Sequence, residues 1–269
     1  MLSLFKHILA ALLVLVVVAY GLLYLLQEKL LFFPQKLAAD HTFHFRGNVE
    51  EVWFSVEEKV RIHGLLFKSQ QSRGAVLFLH GNAGSVEGWG SSAGPYLAAG
   101  LDVLLLDYRG YGKSEGKIGS QSSLLADATQ AYQWLREQYP QQAIVLSGTS
   151  IGTGIAVQLA AKQAPDLLIL NSPYYGLQEL IREKFAIVPP FIIKYPLQSW
   201  RELGQIDAPR VIFHGGVDQL IPVNHGQRLA ALDEKISLFV YPNAGHNDLL
   251  GRQDYDQELV RQIRKVLSP

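Results

Sequence analysis

A five-residue stretch, Gly148-Thr149-Ser150-Ile151-Gly152, constrains the fold of this chain more than any other feature of its sequence. Residues 143–146 precede it as a β-branched apolar run and predict a buried strand. Residues 154–161 follow it and predict a helix with a face of small side chains. A Gly-x-Ser-x-Gly sequence between a strand and a helix is typical of a sharp turn that lifts its serine hydroxyl above the end of a sheet. Glycine fits on both sides because a side chain there would collide across so tight a turn.

Around that turn, short apolar runs alternate with segments of helical pattern. Residues 49–56 and 60–67 predict an antiparallel hairpin of two strands. Buried strands are predicted at residues 75–79, 102–106, 143–146, 167–170, 211–213 and 236–241. Such alternation predicts an α/β fold, here a doubly wound, mostly parallel sheet of about eight strands. Ligands of these sheets bind outside the carboxyl ends of the strands.

The composition narrows the classes of function. Lysine plus arginine and aspartate plus glutamate each number 24 among the 269 residues, which argues against a nucleic-acid surface. There are no cysteines, which excludes disulfides, thiolate metal sites and a cysteine nucleophile. Histidine and acidic residues show no metal-ligand spacing. We therefore expect neither a metal nor an organic cofactor.

The N-terminus predicts a membrane anchor. Residues 8–26 carry no charge and span roughly 28 Å as a helix, close to the thickness of a bilayer's hydrocarbon core. A cleaved signal peptide is the alternative, although its apolar region would be shorter and Ala19-Tyr20-Gly21 is the one passable cleavage site. We expect residues 1–34 to be an uncleaved single-pass anchor. Because Lys6 precedes the span while Lys29 and Lys36 follow it, the positive-inside rule nearly balances, and a domain outside the cytoplasm is favoured only narrowly.

Ser150 needs a general base, because a serine hydroxyl is a weak nucleophile at neutral pH. Among eight histidines, His246 lies in the loop directly after the last predicted strand. His80 and His214 each precede a glycine at a strand end and are the alternatives. His246 is thus the expected base.

The base in turn needs a carboxylate that fixes its tautomer and stabilises the imidazolium. Asp218 lies in the loop after the preceding strand, while Asp248 is an alternative that is too close in sequence to His246 to reach round the ring easily. The chain order Ser150, Asp218, His246 is the order found in α/β-hydrolases.

A substrate oxygen that becomes negatively charged needs two preorganised hydrogen-bond donors. One is expected to be the backbone N–H of Ile151, directly after the nucleophile at the start of a helix. The other is expected from the loop after the strand at residues 75–79, where the backbone N–H of Asn82 or Ala83 is available.

These motifs resemble those of the α/β-hydrolase superfamily. More closely, the chain is similar to membrane-anchored serine hydrolases of the serine-aminopeptidase-like and prolyl-oligopeptidase-like branch, from about residue 49 onward. In that family the glycine-rich loop after Asp107 is chiefly structural, which agrees with the lack of a P-loop spacing there. The motifs that carry the resemblance are His80-Gly81-Asn82-Ala83-Gly84, Asp107-Tyr108-Arg109-Gly110-Tyr111-Gly112-Lys113-Ser114, Gly148-Thr149-Ser150-Ile151-Gly152, His214-Gly215-Gly216-Val217-Asp218 and Gly245-His246.

The resemblance implies hydrolysis and does not name the substrate. We expect cleavage of an acyl ester or thioester through an acyl-enzyme, with a small-molecule or lipid-like acyl compound as substrate. Peptide or amide hydrolysis on the same fold is the first alternative, and a non-catalytic membrane-anchored binding module is the second. The complete Ser–Asp–His set favours an enzyme over a binding module. The serine at position 150, in the turn between strand and helix, argues against dehalogenase and epoxide-hydrolase chemistry, since both use a carboxylate nucleophile on this fold.

The predicted domain organisation has three parts. Residues 1–34 form the anchor, residues 35–48 a polar linker, and residues 49–269 the hydrolase domain. Within that domain, residues 174–203 form an insertion whose paired prolines exclude it from the sheet. Its apolar run at residues 185–193 is expected to overhang Ser150 and line an acyl pocket. Because the whole catalytic set lies beyond residue 149, a protein that starts near Gln35 is expected to remain active.

Overall fold

A computed structural model describes residues 1–267 of the chain. The helices of this part are α1 (Leu2–Leu31), α2 (Val86–Trp89), α3 (Gly94–Ala98), α4 (Gln121–Gln138), α5 (Ile151–Gln163), α6 (Leu177–Lys184), α7 (Asn224–Ala230) and α8 (Gln253–Leu267). The strands are β1 (Phe33–Pro34), β2 (Asn48–Glu57), β3 (Val60–Lys68), β4 (Gly74–Leu79), β5 (Ala83–Gly84), β6 (Asp102–Leu106), β7 (Ala143–Thr149), β8 (Leu167–Asn171), β9 (Arg210–Gly215) and β10 (Ile236–Tyr241).

Eight of these strands form one sheet, in the order β10-β9-β8-β7-β4-β6-β3-β2. Neighbouring strands run parallel from β10 to β6, whereas β3 pairs antiparallel with both β6 and β2. The predicted doubly wound α/β sheet is therefore confirmed. The central strands are buried on both faces, which explains why their sequences are continuous apolar runs rather than alternating ones.

A hydrophobic cluster lies on each face of the sheet. One contains apolar side chains of α4 and α5, including Leu135 and Leu159. The other contains side chains of α3 and α8, including Tyr96 and Ile263. Because both faces are covered, polar side chains that follow the strands can gather at the sheet's carboxyl edge, outside the core.

The N-terminal helix α1 is long and apolar enough to cross a membrane, with a mean hydropathy of 2.8 over its most apolar window. None of that window is buried against the rest of the protein. The C-terminal end of α1 differs, because Gln27 and the capping residue Phe32 are buried against the rest of the protein. Helix α1 is thus exposed along its apolar length and packed at its C-terminal end.

The segment after α1 also packs on the domain. Strand β1 pairs with β5, and Lys36 forms a bridge with Gly112. Phe43 stacks on His63 with ring centroids 5.5 Å apart, and the side chain of Phe45 contacts that of Phe67. The aromatic side chains of the predicted linker therefore bind it to the domain surface.

The segment at 174–203 contains α6 followed by irregular chain with 3-10 turns at Pro190–Ile192, Ser199–Arg201 and Leu203–Gln205. It has no strand, as the prolines predict. Between β5 and β6 the chain forms two short helices, α2 and α3, joined by a 3-10 turn at Gly90–Ala93. A proline at the second position of α3 is compatible with this arrangement, since proline is tolerated in a first helical turn.

Candidate active site

Ser150 occupies the turn between β7 and α5 in a strained backbone conformation, with φ 53° and ψ −119°. A positive φ is unusual for a residue with a side chain and is often found at functional sites. The turn is held because the Ser150 N–H donates to the Asn171 carbonyl, at 2.9 Å. A Cβ at Gly148 would lie 2.6 Å from the Gly152 carbonyl oxygen, and one at Gly152 would collide with the Leu79 carbonyl. Both glycines are therefore required sterically.

The structure brings Ser150, His246 and Asp218 together. The Ser150 Oγ lies 3.0 Å from His246 Nε2, and His246 Nδ1 lies 2.7 Å from Asp218 Oδ2. With the imidazole proton on Nδ1, His246 donates to Asp218 and accepts from the serine hydroxyl. This chain of contacts is the geometry that proton transfer from serine to histidine requires.

Asp218 is buried and held on both of its oxygens. Its Oδ1 accepts from the backbone N–H groups of Leu220 and Ile221, at 2.9 and 2.8 Å. Burial acts to raise the pKa of Asp218, but the hydrogen bonds from His246 and the Ile221 N–H outweigh it and lower that pKa below its ordinary value. The carboxylate therefore stays ionised and oriented towards the imidazole.

The backbone donors expected for a substrate oxyanion lie beside the serine. Ile151 begins α5, so its N–H has no acceptor within the helix. Asn82 and Ile151 line the same cavity as Ser150, whereas Ala83 lies in β5 and does not line it. The Asn82 carbonyl is fixed by donors from the Phe33 N–H and the Tyr111 hydroxyl, at 2.8 and 2.7 Å. This geometry favours Asn82 over Ala83.

The alternative residues have other contacts. His80 and His214 are fully buried, and their rings contact the backbone carbonyls of Gly81 and Ile221 respectively. Burial lowers the pKa of His214. Asp248 accepts from the Gly245 N–H at 2.7 Å and thereby closes the loop that carries His246. Their contacts are structural.

An apolar cavity of about 290 Å³ opens at the serine. A second one, of about 400 Å³, lies next to it along α1, and both are lined by Leu30, Leu31, Ile181 and Phe185. The first cavity is lined by Leu30, Leu31, Phe33, Asn82, Ser150, Ile151, Tyr174, Leu177, Leu180, Ile181, Lys184, Phe185, Leu220 and Ile221. The second is lined by Leu23, Gln27, Leu30, Leu31, Ile181, Phe185, Val188, Ile192 and Ile193.

The insertion contributes to this space in part as predicted. Phe185 and Ile192 line it, but Phe191 is 84% exposed and does not line it. The sequence could not separate these neighbours, because all are apolar and no regular period runs through the two prolines.

A more polar cavity of about 240 Å³ lies beside His246. Its lining is Gly88, Trp89, Ser91, Ser92, Thr149, Asn171, Ser172, His246, Asn247, Leu249 and Leu250. Ser150 therefore lines an apolar cavity, while His246 lines a polar one.

The sequence did not indicate the part that α1 takes in the site. Leu30, Leu31 and Phe33 line the cavity beside Ser150, although more than a hundred residues separate them from it in the chain. The one available signal was the pair Gln27-Glu28, which places polar groups where the apolar run ends. Among the described residues, no group of three or more histidine, cysteine, aspartate or glutamate side chains could hold a metal ion.

Comparisons with known proteins find relatives that match most of this chain. Residues 70–198 match a family model described as serine aminopeptidase, S33. The chain is 33% identical over 230 residues to an uncharacterized protein of Mycobacterium tuberculosis, covering 82% of this chain and 81% of that protein. It is 32% identical over 229 residues to the alpha/beta hydrolase domain-containing protein 17C of Mus musculus, covering 81% and 68%. A lysophosphatidylserine lipase of Danio rerio is 29% identical over 230 residues, covering 73% and 60%.

Solved structures share the architecture. An esterase of Pyrococcus furiosus superposes with a TM-score of 0.69 at 21% identity, covering 88% of this chain and 96% of that chain. An α/β serine hydrolase without a lid from Xanthomonas campestris superposes with a TM-score of 0.65 at 17% identity, covering 85% and 99%. At these identities the likeness concerns the fold.

Proposed function

Because the chain belongs to the α/β-hydrolase superfamily, we propose that it is a serine hydrolase that cleaves acyl esters or thioesters through an acyl-enzyme on Ser150. The observation that carries this proposal is the unbroken set of contacts from the Ser150 Oγ through the His246 ring to the Asp218 carboxylate, at 3.0 and 2.7 Å. The strained turn at Ser150 supports it, because such strain is retained where it serves a function.

In the proposed reaction, Ser150 Oγ attacks the acyl carbon while His246 Nε2 takes the hydroxyl proton. Asp218 stabilises the imidazolium that forms. The backbone N–H groups of Ile151 and Asn82 donate to the developing oxyanion. His246 then gives its proton to the leaving group, and a water molecule, activated by the same imidazole, hydrolyses the acyl-enzyme.

The substrate proposed is an acyl ester or thioester with an apolar acyl group. The apolar lining of the cavity at Ser150 supports it, because burying a methylene contributes about 0.8 kcal/mol. The relative named as a lysophosphatidylserine lipase supports a lipid-like substrate.

Peptide hydrolysis is the second candidate, since the matching family model is described as a serine aminopeptidase. An aminopeptidase needs a negative partner for the ammonium group of its substrate. Among the described residues, those that line the two cavities beside Ser150 and His246 include Lys184 but no aspartate or glutamate. The cavities therefore offer no negative partner for such an ammonium group. Ester hydrolysis is therefore the better-supported function.

We further propose that α1 anchors the protein as a single membrane span, with the hydrolase domain outside the cytoplasm. In this orientation Lys6 and the α-amino group are the cytoplasmic charges. On the other side, Lys36 is held against the domain because it donates to the Ser114 carbonyl at 2.9 Å. Protease protection of the domain in sealed vesicles of known orientation tests this arrangement.

The test of the reaction compares the full-length wild type with Ser150→Ala in detergent, using a water-soluble ester. We expect the variant to lose hydrolysis by a factor of about 10⁶, because the nucleophile acts as one unit with its base. A similar melting temperature in both proteins serves as the control for folding. A folded Ser150→Ala protein with undiminished hydrolysis, or an inert wild type, would overturn the proposal.

A further inference from the structure

We propose that the C-terminal turns of α1 form one wall of the acyl-binding site, and that the groove between α1 and the insertion holds one acyl chain of a membrane lipid that reaches Ser150 directly from the bilayer. This inference rests on the proposed function, which it deepens. The groove consists of the two adjacent cavities described above, which share four lining residues. Leu23, Leu30 and Leu31 line it on one side, and Ile181, Phe185 and Ile192 on the other.

The position of α1 is fixed by polar contacts with the insertion. Gln27 is only 6% exposed, and its side chain donates to the Ile192 carbonyl at 2.6 Å and accepts from the Lys194 N–H at 2.9 Å. Glu28 accepts from the Lys194 ammonium and the Tyr195 hydroxyl, at 3.1 and 2.8 Å. These contacts orient the helix, so that a defined face of α1 is turned towards the groove.

The same contacts make the groove suitable for an apolar chain. Gln27 is the polar residue in the lining along α1, and both ends of its amide are already bonded to the insertion's backbone. A polar ligand would therefore lose its hydration there without finding a partner. Leu23 and Leu31 lie about 12 Å apart along the helix, so the groove is an elongated one.

The outer end of the groove lies at the level of the membrane. Leu23 belongs to the apolar run that is predicted to span the bilayer. Beside it, Ile187 and Phe191 are 80% and 84% exposed, and the Tyr20 hydroxyl donates to the Ile187 carbonyl at 2.8 Å. Large apolar side chains exposed next to a membrane helix are stabilised by contact with lipid. The tip of the insertion therefore rests in the bilayer, next to the opening.

The inner end of the groove is joined to the catalytic centre by the backbone. The Phe33 N–H donates to the Asn82 carbonyl and the Gln35 N–H donates to the Gly84 carbonyl, both at 2.8 Å. The end of the anchor therefore also positions the loop that is proposed to supply an oxyanion donor.

A lipid fits the site better than an acylated protein. The groove connects the bilayer at one end with Ser150 at the other, so a chain that lies in the membrane can enter it without leaving an apolar environment. The polar cavity beside His246, of about 240 Å³, has Ser91, Ser92 and Asn247 in its lining, which can form hydrogen bonds with a polar group. We therefore assign the acyl chain to the groove and the polar leaving group to that cavity.

The test uses the full-length protein in phosphatidylcholine vesicles and measures kcat/KM for p-nitrophenyl butyrate and p-nitrophenyl laurate. The variant Leu23→Trp fills the outer groove, and Leu25→Trp is its matched control on the same helix, where Leu25 is 69% exposed and does not line the groove. We expect the laurate-to-butyrate ratio to fall about tenfold in Leu23→Trp, equivalent to the loss of about two buried methylenes, and to stay unchanged in Leu25→Trp.

A second pair of variants changes the 174–203 segment instead of α1, so that its result does not depend on how an altered α1 enters the membrane. Val188→Trp fills the groove from the insertion, and Ile187→Trp is its exposed neighbour and control. The ratio is expected to fall in the first variant alone. An equal ratio in both members of each pair overturns the inference, even when the wild type hydrolyses butyrate. A wild type that hydrolyses neither ester overturns the proposed function instead.

A last comparison distinguishes whether the acyl chain comes from a membrane lipid or from an acylated protein. Vesicles carrying a lysophospholipid are compared with vesicles carrying a peptide acylated with the same chain. Faster hydrolysis of the lysophospholipid supports the inference. Faster hydrolysis of the acylated peptide overturns the assignment to a membrane lipid.

Discussion

Two histidine–aspartate clusters lie near the carboxyl edge of the sheet, and they differ in access rather than in composition. In the first, His246 lies 2.7 Å from Asp218, retains 12% of its side-chain exposure and reaches Ser150 with its other nitrogen. In the second, Asp107 lies 3.5 Å from His63 and 3.7 Å from His80, and all three side chains are fully buried. A histidine beside a carboxylate therefore becomes a candidate base only where it also reaches a nucleophile and a cavity.

The second cluster stabilises the loops around the site. The Val86 N–H donates to Asp107 Oδ1 at 2.9 Å, which holds the start of α2. His63 stacks on Phe43, and His80 stacks on Trp89 with ring centroids 5.8 Å apart. The sequence motif around Asp107 thus has a structural explanation that needs no phosphate.

The largest expected effect is on activity and distinguishes His246 from His63. His246→Ala is expected to lower kcat by about 10⁶, because base and nucleophile act as a unit, with little change in the melting temperature. His63→Ala is expected to lower the free energy of unfolding by about 2 kcal/mol or more through lost packing, while the folded protein keeps its activity. Ester hydrolysis and thermal unfolding of both variants measure this. The contrast between the clusters fails if both variants lose activity equally while remaining folded.

The next effect concerns the choice of carboxylate. Asp218→Asn is expected to lower kcat by about 10⁴, since an amide cannot stabilise the imidazolium and favours the wrong tautomer. Asp248→Asn, which alters only the contact with the Gly245 N–H, is the matched control and is expected to have a far smaller effect. A larger loss in Asp248→Asn than in Asp218→Asn would show that the base is paired with the other acid.

A smaller effect is expected on stability in the buried cluster. Burial acts to raise the pKa of Asp107, but the rings of His63 and His80 and the Val86 N–H outweigh it and lower that pKa below its ordinary value. Asp107→Asn should therefore lower the free energy of unfolding by about 1–3 kcal/mol at neutral pH, by weakening these interactions. Thermal unfolding at pH 7 measures the change.

The lowered pKa of Asp107 also determines how the stability difference between wild type and Asp107→Asn depends on pH. Because the folded-state pKa of Asp107 is lowered, its contribution to stability is present above the unfolded value of about 3.9 and is lost as pH falls through the lowered value. The gap in melting temperature between wild type and Asp107→Asn should therefore narrow as pH falls below about 4. A gap that widens there contradicts the direction of the shift.

The sheet and the proximity of Ser150, Asp218 and His246 could be predicted because each depends on a local pattern. Buried strands require apolar runs, and the carboxyl ends of parallel strands meet at one edge, so Ser150, Asp218 and His246 could be grouped from their loops alone. The choice between Asn82 and Ala83 depended on the direction of backbone groups within one turn, which residue types do not specify.

The wall formed by α1 could not be predicted in this way. A helix that is apolar all round carries no period that marks a packed face, so Leu23 and Leu25 look equivalent in the sequence. The prediction that a protein starting near Gln35 remains active rests only on the positions of Ser150, Asp218 and His246 in the sequence. Such a protein lacks Leu30, Leu31 and Phe33, which line the cavity beside Ser150, and it lacks the Phe33 N–H that holds the Asn82 carbonyl.

The measurement that tests the central claim most directly is covalent labelling of the full-length protein with a fluorophosphonate, followed by mass-spectrometric mapping of the modified residue. In the proposed mechanism His246 activates the hydroxyl of Ser150, and no other residue is a nucleophile. We therefore predict one label, on Ser150, and none on folded His246→Ala protein. A label on a different residue, or equal labelling of the wild type and of folded His246→Ala, would contradict the account.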